Sequence, residues 1–380
     1  MKVLNLGKIL IKSWAYEIDE AALKQAVNLS NLDFAYKHIA LMADVHSGFG
    51  MPIGGVLASE GIIIPNAVGV DIGCGIIGAK TDVIHISKEE IKNIVDKSHK
   101  KIPLGFESHK NPKSWEGFKK APKYEVIQSE LDSSRYQIGT LGGGNHFMSI
   151  EKGSDGHIWL MVHSGSRNFG YKVANYYNKI AKELNKENKL VPEKTDLYGL
   201  FIDSVEGEEY FNSMKYSLEY AKANREELFR QFYRIFAEET GSREIMEKIN
   251  VHHNYASIEE HFGKEVVVHR KGAIKAESGE LGIIPGSMGT PSYIVEGLGN
   301  EESFKSCSHG AGRVLSRRQA NKIFTEEMVN RSMEGIVFKN PKKDYSEAPM
   351  AYKDIEEVIK NQEDLVKPIV KLSPLGVVKG

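Results

Sequence analysis

Between Glu208 and Glu239 the apolar residues Phe211, Met214, Leu218, Ala221, Leu228, Phe232 and Ile235 recur at helical spacing, with lysine, arginine and glutamate filling the positions between them. This predicts one long amphipathic helix packed on the side of the core. Shorter helices are predicted after Ser87-Lys88-Glu89-Glu90 and Ser316-Arg317-Arg318-Gln319, both of which read as capping boxes. Unbroken apolar runs predict strands: Ile158 to Val162 leads into His163, Val266 to Val268 into His269, and Ile62 to Ile64 into Pro65. Histidines therefore stand where strands end, a place at which a sheet can hold a site open to solvent. No internal repeat or low-complexity linker interrupts the pattern. Lys339 to Ser346 is charged and loop-like, and the pattern resumes beyond it. The expectation is one α+β domain spanning residues 1–380, with mixed sheets and flanking helices.

Glycine is distinctive by placement. Nine glycines fall between Gly48 and Gly78, and others cluster in GTLGGGNHF (139–147), PGSMGT (285–290) and SHGAGR (308–313). Glycine permits tight turns and close approach of backbone to a ligand. Loops of this kind scattered through one chain point to a single site assembled from distant segments.

Composition changes this picture little. Hydrophobic residues make up 41% and charged residues 27% of the 380, and no apolar run is long enough to cross a membrane. No signal-peptide cleavage pattern follows the N-terminus, and two cysteines, Cys74 and Cys307, are too few for a disulfide scaffold. A cytoplasmic protein is expected. The net charge of −1 leaves nucleic acid open, because an enzyme gripping RNA ends can use a local basic patch on a neutral body.

Candidate chemistry begins with Val70-Asp71-Ile72-Gly73-Cys74-Gly75. A thiol between glycines sits at a turn, and Asp71 is near enough in sequence for both side chains to reach one ion. A free cysteine is ordinarily a small buried residue; the glycines and the aspartate favour a metal ligand. Of thirteen histidines, four abut glycine, serine or asparagine at segment ends: His146, His163, His253 and His309. His38, His85, His99, His109, His157 and His261 carry no such signal. Oxygen, sulfur and nitrogen donors in this number suffice for two ions if the thiolate bridges, and paired divalent ions suit phosphoryl chemistry. The loops PGSMGT and SHGAGR offer backbone N–H groups to a nucleotide phosphate, and Arg313 and Arg270 could add bidentate contacts. His309 has two readings of equal weight: a fourth metal histidine, or a nucleophile, since neutral imidazole is available near pH 7.

The ordered set ADVHSGFGMPIGG, VGVDIGCG, GTLGGGNHF, HSGSRN, VHHNYA, HRKGA, PGSMGT, SHGAGR, AYKD and PLGVVKG resembles the RtcB-type RNA ligases from about residue 40 to the last residue. The resemblance implies a single α+β domain with an unusual fold. It implies an enzyme joining an RNA 3′-phosphate or 2′,3′-cyclic phosphate end to a 5′-hydroxyl end, using GTP and two manganese ions. By that resemblance Asp71, Cys74 and His146 hold one ion, Cys74, His163 and His253 hold the other, and His309 becomes guanylated. Asn145, Asn254, Pro285, Gly286, Ser287, Met288, Ser292, Gly310, Ala311, Gly312 and Lys379 line the GTP site, with Arg313 beside them and Tyr352 against the guanine. Asp44 and His46 support the site without being ligands. An archease-like helper is a possible partner.

Two departures stand out. Relatives carry a carboxylate where this chain has Ser149, and the chain is short for the family. In an extended segment Ser149 and Glu151 share a face, so the expectation is either relaxed guanine selectivity or replacement of the missing carboxylate by Glu151. Two other classes remain: a metal-dependent phosphoesterase with no covalent nucleotide, and a nucleotide-binding regulator without catalysis. No missing ligand or nucleophile supports the second.

Overall fold

The computed structural model describes residues 1–339 and 343–380, so the loop expected at 339–346 falls partly outside the described residues. Two large sheets dominate. The six-stranded sheet runs in the order Lys2–Leu4, Leu10–Ser13, Ala35–His46, Ile53–Ser59, Lys264–Lys271, Asn254–His261. The eight-stranded sheet follows the path Ile245–His252, Gly75–Thr81, Ile158–Ser164, Phe147–Gly153, Val366–Lys379, Ser292–Gly297, Leu281–Ile284, with Val337–Phe338 added alongside Val366–Lys379. Pairing in both is mostly antiparallel; Leu10–Ser13 with Ala35–His46 and Val337–Phe338 with Val366–Lys379 are parallel. This is an α+β architecture, as the mixed strand and helix pattern predicts.

The long helix is Val205–Thr240. Ser204 caps its N-terminus by accepting from Gly207 N–H, and Gly241 ends it in the left-handed conformation. Met214, Ala221, Leu228, Phe232 and Ile235 of the expected stripe are buried, and Phe211 and Leu218 are partly so. Both capping boxes form: Ser87 with Glu90 starts Lys88–Lys101, and Ser316 with Gln319 starts Arg317–Ile323. The long helix packs its first half against the core beside the six-stranded sheet and its second half, with Lys88–Lys101, against the eight-stranded sheet.

A one-residue chain crossing brings the two large sheets together. Ile245–His252 pairs with Gly75–Thr81 in one sheet, and Asn254–His261 pairs with Lys264–Lys271 in the other. His253 alone lies between them, and its N–H donates to Cys74 O at 2.9 Å. Gly272 makes another tight connection, from Lys264–Lys271 to Ala273–Lys275, which pairs with Ser306–Ser308 in a separate two-stranded sheet. Its φ is +62°, and a Cβ there would lie 2.9 Å from the His309 ring, so the connection requires glycine. Among the described residues no helix is long and apolar enough to cross a membrane.

Candidate active site and metal centre

The seam between the sheets gathers the four singled-out histidines. Cys74 sits in the turn before Gly75–Thr81, with its N–H on Asp71 O at 3.1 Å. His163 lies near the end of Ile158–Ser164, directly across the ladder from Phe147, which follows His146. Cys74 Sγ is 3.3 Å from His146 Nε2 and 3.2 Å from His163 Nε2, and His146 Nε2 is 3.0 Å from Asp71 Oδ2. The donors form two groups, Asp71–Cys74–His146 and Cys74–His163–His253, each with all ligand atoms within 4.8 Å of one another. The shared atom is the Cys74 sulfur.

These residues fit divalent ions. Two ligands each about 2.1 Å from an ion, at a right angle to a tetrahedral angle, stand roughly 3.0–3.4 Å apart, which matches the spacings here. Asp71 Oδ1, His146 Nδ1 and His253 Nδ1 are buried without a hydrogen-bond partner. Unpaired buried acceptors and lone pairs of this kind are satisfied by a bound cation. Burial, followed by the neighbouring cationic groups, pushes His163 and His253 well down, so both are neutral and offer lone pairs. Burial and the adjacent Asp71 push the Cys74 thiol up; a bound cation reverses that balance, because thiolate is the ligating form. His163 Nδ1 faces Asn145 O at 3.1 Å, which turns Nε2 toward the cluster.

His309 belongs to neither donor group. Its ring centroid is 4.8 Å from that of His253, and its Nδ1 is 2.7 Å from Asp44 Oδ2. The same oxygen accepts the N–H groups of His309 and Gly310 at 3.1 and 3.2 Å. Asp44 is fully buried. Burial alone would raise its pKa, but the facing His309, with His46 and Lys353, holds it below the usual carboxylate range. The buried carboxylate therefore favours a proton on Nδ1 and leaves the lone pair on Nε2. Gly312 packs on the same strand: its φ is +75°, and a Cβ would lie 2.2 Å from Asp44 O.

His309 opens onto a cavity of about 900 Å³. Asn145, Pro285, Gly286, Ser287, Met288, Gly310, Ala311, Gly312, Arg313, Tyr352 and Lys379 line it, as does His163. Arg313 stacks over the Tyr352 ring at 5.0 Å and pairs with Glu347 at 3.1 Å. Lys379, at the end of Val366–Lys379, pairs across the ladder with Phe147, which also lines the cavity.

Other expected residues lie elsewhere. Ser149 is buried and does not line the cavity; it donates to Glu151 Oε1 at 2.7 Å, so the two do share a face, but that face is closed inside the sheet. Asn254 and Ser292 stand behind the wall. Asn254 Nδ2 donates to Asp71 O at 3.1 Å and its Oδ1 accepts from Gly272 N–H at 2.8 Å; Ser292 Oγ accepts from Gly286 N–H at 3.3 Å. Arg270 is not a phosphate contact: it is wholly buried, forked onto Glu259 and bonded to Ser306 Oγ at 2.8 Å.

Residues without a local motif also shape the site. Asn224 and Arg225, buried mid-helix, clasp its loops. Asn224 accepts from Gly139 and Thr140 N–H and donates to Gly165 O; Arg225 donates to Gly73 O and Ser164 O. Their signal was a polar pair on the apolar stripe between Ala221 and Leu228. Glu347 gathers Arg313, Arg317 and Lys379 on the cavity wall, and Lys353 holds Val45 O at 2.6 Å beneath it.

A family model described as "tRNA-splicing ligase RtcB" matches residues 25–126 and 110–380. The chain is 36% identical to the protein named RNA-splicing ligase RtcB from Escherichia coli (strain K12), over 100% of this chain and 99% of that one. It is 31% identical to tRNA-splicing ligase RtcB from Thermococcus kodakarensis, over 95% of this chain and 91% of that protein. It is 29% identical to the RNA-splicing ligase RtcB of Mycobacterium tuberculosis, over 94% and 100% respectively. Matches of this length run through every loop that builds the seam between the sheets, and the chain belongs to the RtcB family.

Proposed function

We propose that this protein is an RNA ligase that joins a 3′-phosphate or 2′,3′-cyclic phosphate end to a 5′-hydroxyl end, using GTP and manganese and passing through a guanylate on His309. The observation that carries the reading is the Asp44–His309 pair at 2.7 Å, set beside the donor cluster that shares the Cys74 sulfur and reaches the cavity wall at His163. Relatives bearing the name RNA-splicing ligase support the RNA substrate.

Asp71, Cys74 and His146 would hold one ion and Cys74, His163 and His253 the second, with Cys74 as thiolate bridging them. Bound divalent ions neutralise phosphate oxygens and orient an in-line displacement. The chain's own residues do the rest. A cyclic phosphate is first opened by water to a 3′-phosphate. His309 Nε2 then attacks the α-phosphorus of GTP; the N–P bond forms as the bond to the β-phosphate oxygen breaks, and pyrophosphate leaves. Asp44 keeps the proton on Nδ1 and offsets the positive charge that grows on the ring. An oxygen of the RNA 3′-phosphate attacks the same phosphorus and frees His309. The 5′-hydroxyl then attacks the activated 3′-phosphorus, losing its proton, and GMP leaves. The glycine-rich wall from Pro285 to Met288 and from Gly310 to Gly312 approaches the nucleotide through backbone, while Tyr352 and Lys379 face the base. The site is cytoplasmic in this reading, and an archease-like helper would act on turnover.

The test is incubation of the protein, GTP and Mn²⁺ with RNA fragments bearing 3′-phosphate and 5′-hydroxyl ends. Joined RNA with release of GMP is expected. Loss of the terminal phosphate with no joining would favour a phosphoesterase using the same ions.

A further inference from the structure

Lys100 to Lys123 is the most basic stretch of a chain whose overall charge is −1: it holds seven lysines against two carboxylates, Glu107 and Glu116. Lys100, Lys110, Lys120 and Lys123 are exposed, and among the described residues no salt bridge engages them. Within this stretch stands Phe106, whose side chain is entirely in solvent, at 104% relative exposure. An isolated exposed apolar residue needs no explanation. Phe106 differs because the backbone beneath it is fastened to the active site. Gly105 N–H donates to Gly142 O at 3.2 Å, and Arg167 Nη2 donates to Gly105 O at 2.7 Å while its Nε holds Thr140 Oγ1 at 2.9 Å. Gly142 in turn abuts His146: a Cβ on it would lie 2.4 Å from His146 Nδ1.

The floor beside Phe106 is bare. Gly143 lies against Gly105, and Gly144 faces the Arg317 guanidinium, which a Cβ on Gly144 would approach to 3.2 Å. Arg317 is half exposed and also lines the catalytic cavity. An aromatic ring on an anchored backbone, the side-chain-free loop Gly142–Gly144 beside it, the Arg317 guanidinium next to that loop and lysines in the same stretch bring base-stacking and cationic groups together beside the cavity that Arg317 lines. Aromatic rings that accept any base by stacking, combined with cations that follow the backbone, are how single-stranded nucleic acid is held without sequence preference.

We propose that Phe106 is a stacking platform for a nucleobase of a single RNA strand whose end lies at the metal centre, with the Lys100–Lys123 stretch carrying the strand's backbone away from the site. The proposal rests on the RNA reading above and adds the path of the strand.

The experiment compares wild type, Phe106→Ala, Phe106→Trp and Lys110→Gln for binding of a short fluorescein-labelled single-stranded RNA with a 3′-phosphate, followed by anisotropy across a salt series. His309 guanylylation from GTP and Mn²⁺ is measured in parallel without RNA. Phe106→Ala should weaken RNA binding about tenfold, and Phe106→Trp should restore or exceed wild-type affinity. Lys110→Gln should lower the slope of log Kd against log salt by roughly 0.7. Guanylylation should stay at the wild-type rate in all of them, since none of these side chains faces the nucleotide. Unchanged RNA affinity in Phe106→Ala, with wild type binding well, overturns the platform and leaves the ligase reading intact. Failure of wild type to bind RNA overturns the ligase reading itself. A change in sedimentation of Phe106→Ala without a change in RNA affinity overturns the platform in favour of self-association through this face.

Discussion

Two buried polar clusters adjoin the same pair of strands, Asn254–His261 and Lys264–Lys271, and they are built on opposite principles. In the cluster that runs along the pair, Arg270 forks onto Glu259, His261 sits 3.1 Å from Glu259 and 2.9 Å from Glu301, and Ser306 Oγ and Phe304 O accept further guanidinium N–H groups. Positive and negative partners balance, and none of these side chains is left without a hydrogen bond. In the cluster beyond Asn254, Asp71, Cys74, His146, His163 and His253 present carboxylate, sulfur and imidazole with Asp71 Oδ1, His146 Nδ1 and His253 Nδ1 unpaired. Burying polar groups without partners is costly. A cluster that keeps them is incomplete without a ligand, whereas a closed cluster serves the fold. Buried charge has two uses here, and substitutions in the two clusters should behave in opposite ways.

The largest stability effect belongs to the closed cluster. Arg270→Met leaves Glu259 buried without its guanidinium. A loss of about 3–5 kcal/mol follows, read as a large drop in melting temperature whether or not metal is present. Cys74→Ala should reverse that pattern. Metal-free stability should change by only about 1 kcal/mol, while both ions bind about 100-fold more weakly or worse, since loss of an outer supporting group alone costs 10–100-fold. Calorimetric titration with Mn²⁺ or Zn²⁺ decides it; two ions retained at full affinity in Cys74→Ala would end the bridging assignment.

A smaller effect concerns Glu151, a third kind of buried charge with only the Ser149 hydroxyl as partner and Oε2 unpaired. Burial raises its pKa from 4.5 to about 8. A raised acid binds its proton more tightly when folded, so its contribution is fully present below pH 4.5 and is lost as pH rises through about 8. Each tenfold gain in proton affinity corresponds to about 1.4 kcal/mol, and relaxation around the ionised group trims the sum. Glu151→Gln should therefore stabilise the protein by about 2 kcal/mol above pH 8 and have no effect near pH 4. Urea unfolding at the two pH values checks this; equal effects at both would show that Glu151 does not titrate in this way. GTP selectivity should be untouched, because neither Ser149 nor Glu151 lines the cavity.

Much of the site was legible because its chemistry is written in short segments. The turn around Cys74, the strand end at His163 and the crossing at His253 each place a ligand by local backbone, and glycine marks where chain passes close to chain. Helix Val205–Thr240 followed from its apolar spacing, which placed it at Glu208 to Glu239; its capping Ser204 came only with the structure. What the local pattern missed depends on which faces are closed. Period-two alternation put Ser149 and Glu151 side by side, but it could not say that their cross-strand neighbours Met161 and Trp159 are buried in an apolar cluster with Ile283 and Ile294, more than a hundred residues later. Arg270 looked like a phosphate ligand until its strand partners supplied Glu259. Asn224 and Arg225 act through loops 59 to 152 residues away, and nothing near them in the chain names those partners. Glu347 reaches the cavity wall only by assembling three cations from separate segments.

The central claim is that Asp44 and His309 make a nucleophile, distinct from the metal ligands beside it. The most direct measurement is labelling with α-³²P-GTP and Mn²⁺, followed by mapping of the modified residue in wild type, His309→Ala and Asp44→Asn. The account predicts one acid-labile, alkali-stable GMP on His309, none in His309→Ala with both ions still bound, and labelling slowed by about 10³–10⁴-fold in Asp44→Asn, where the ring loses its fixed tautomer. GMP on another residue, or an undiminished label in His309→Ala, would contradict it.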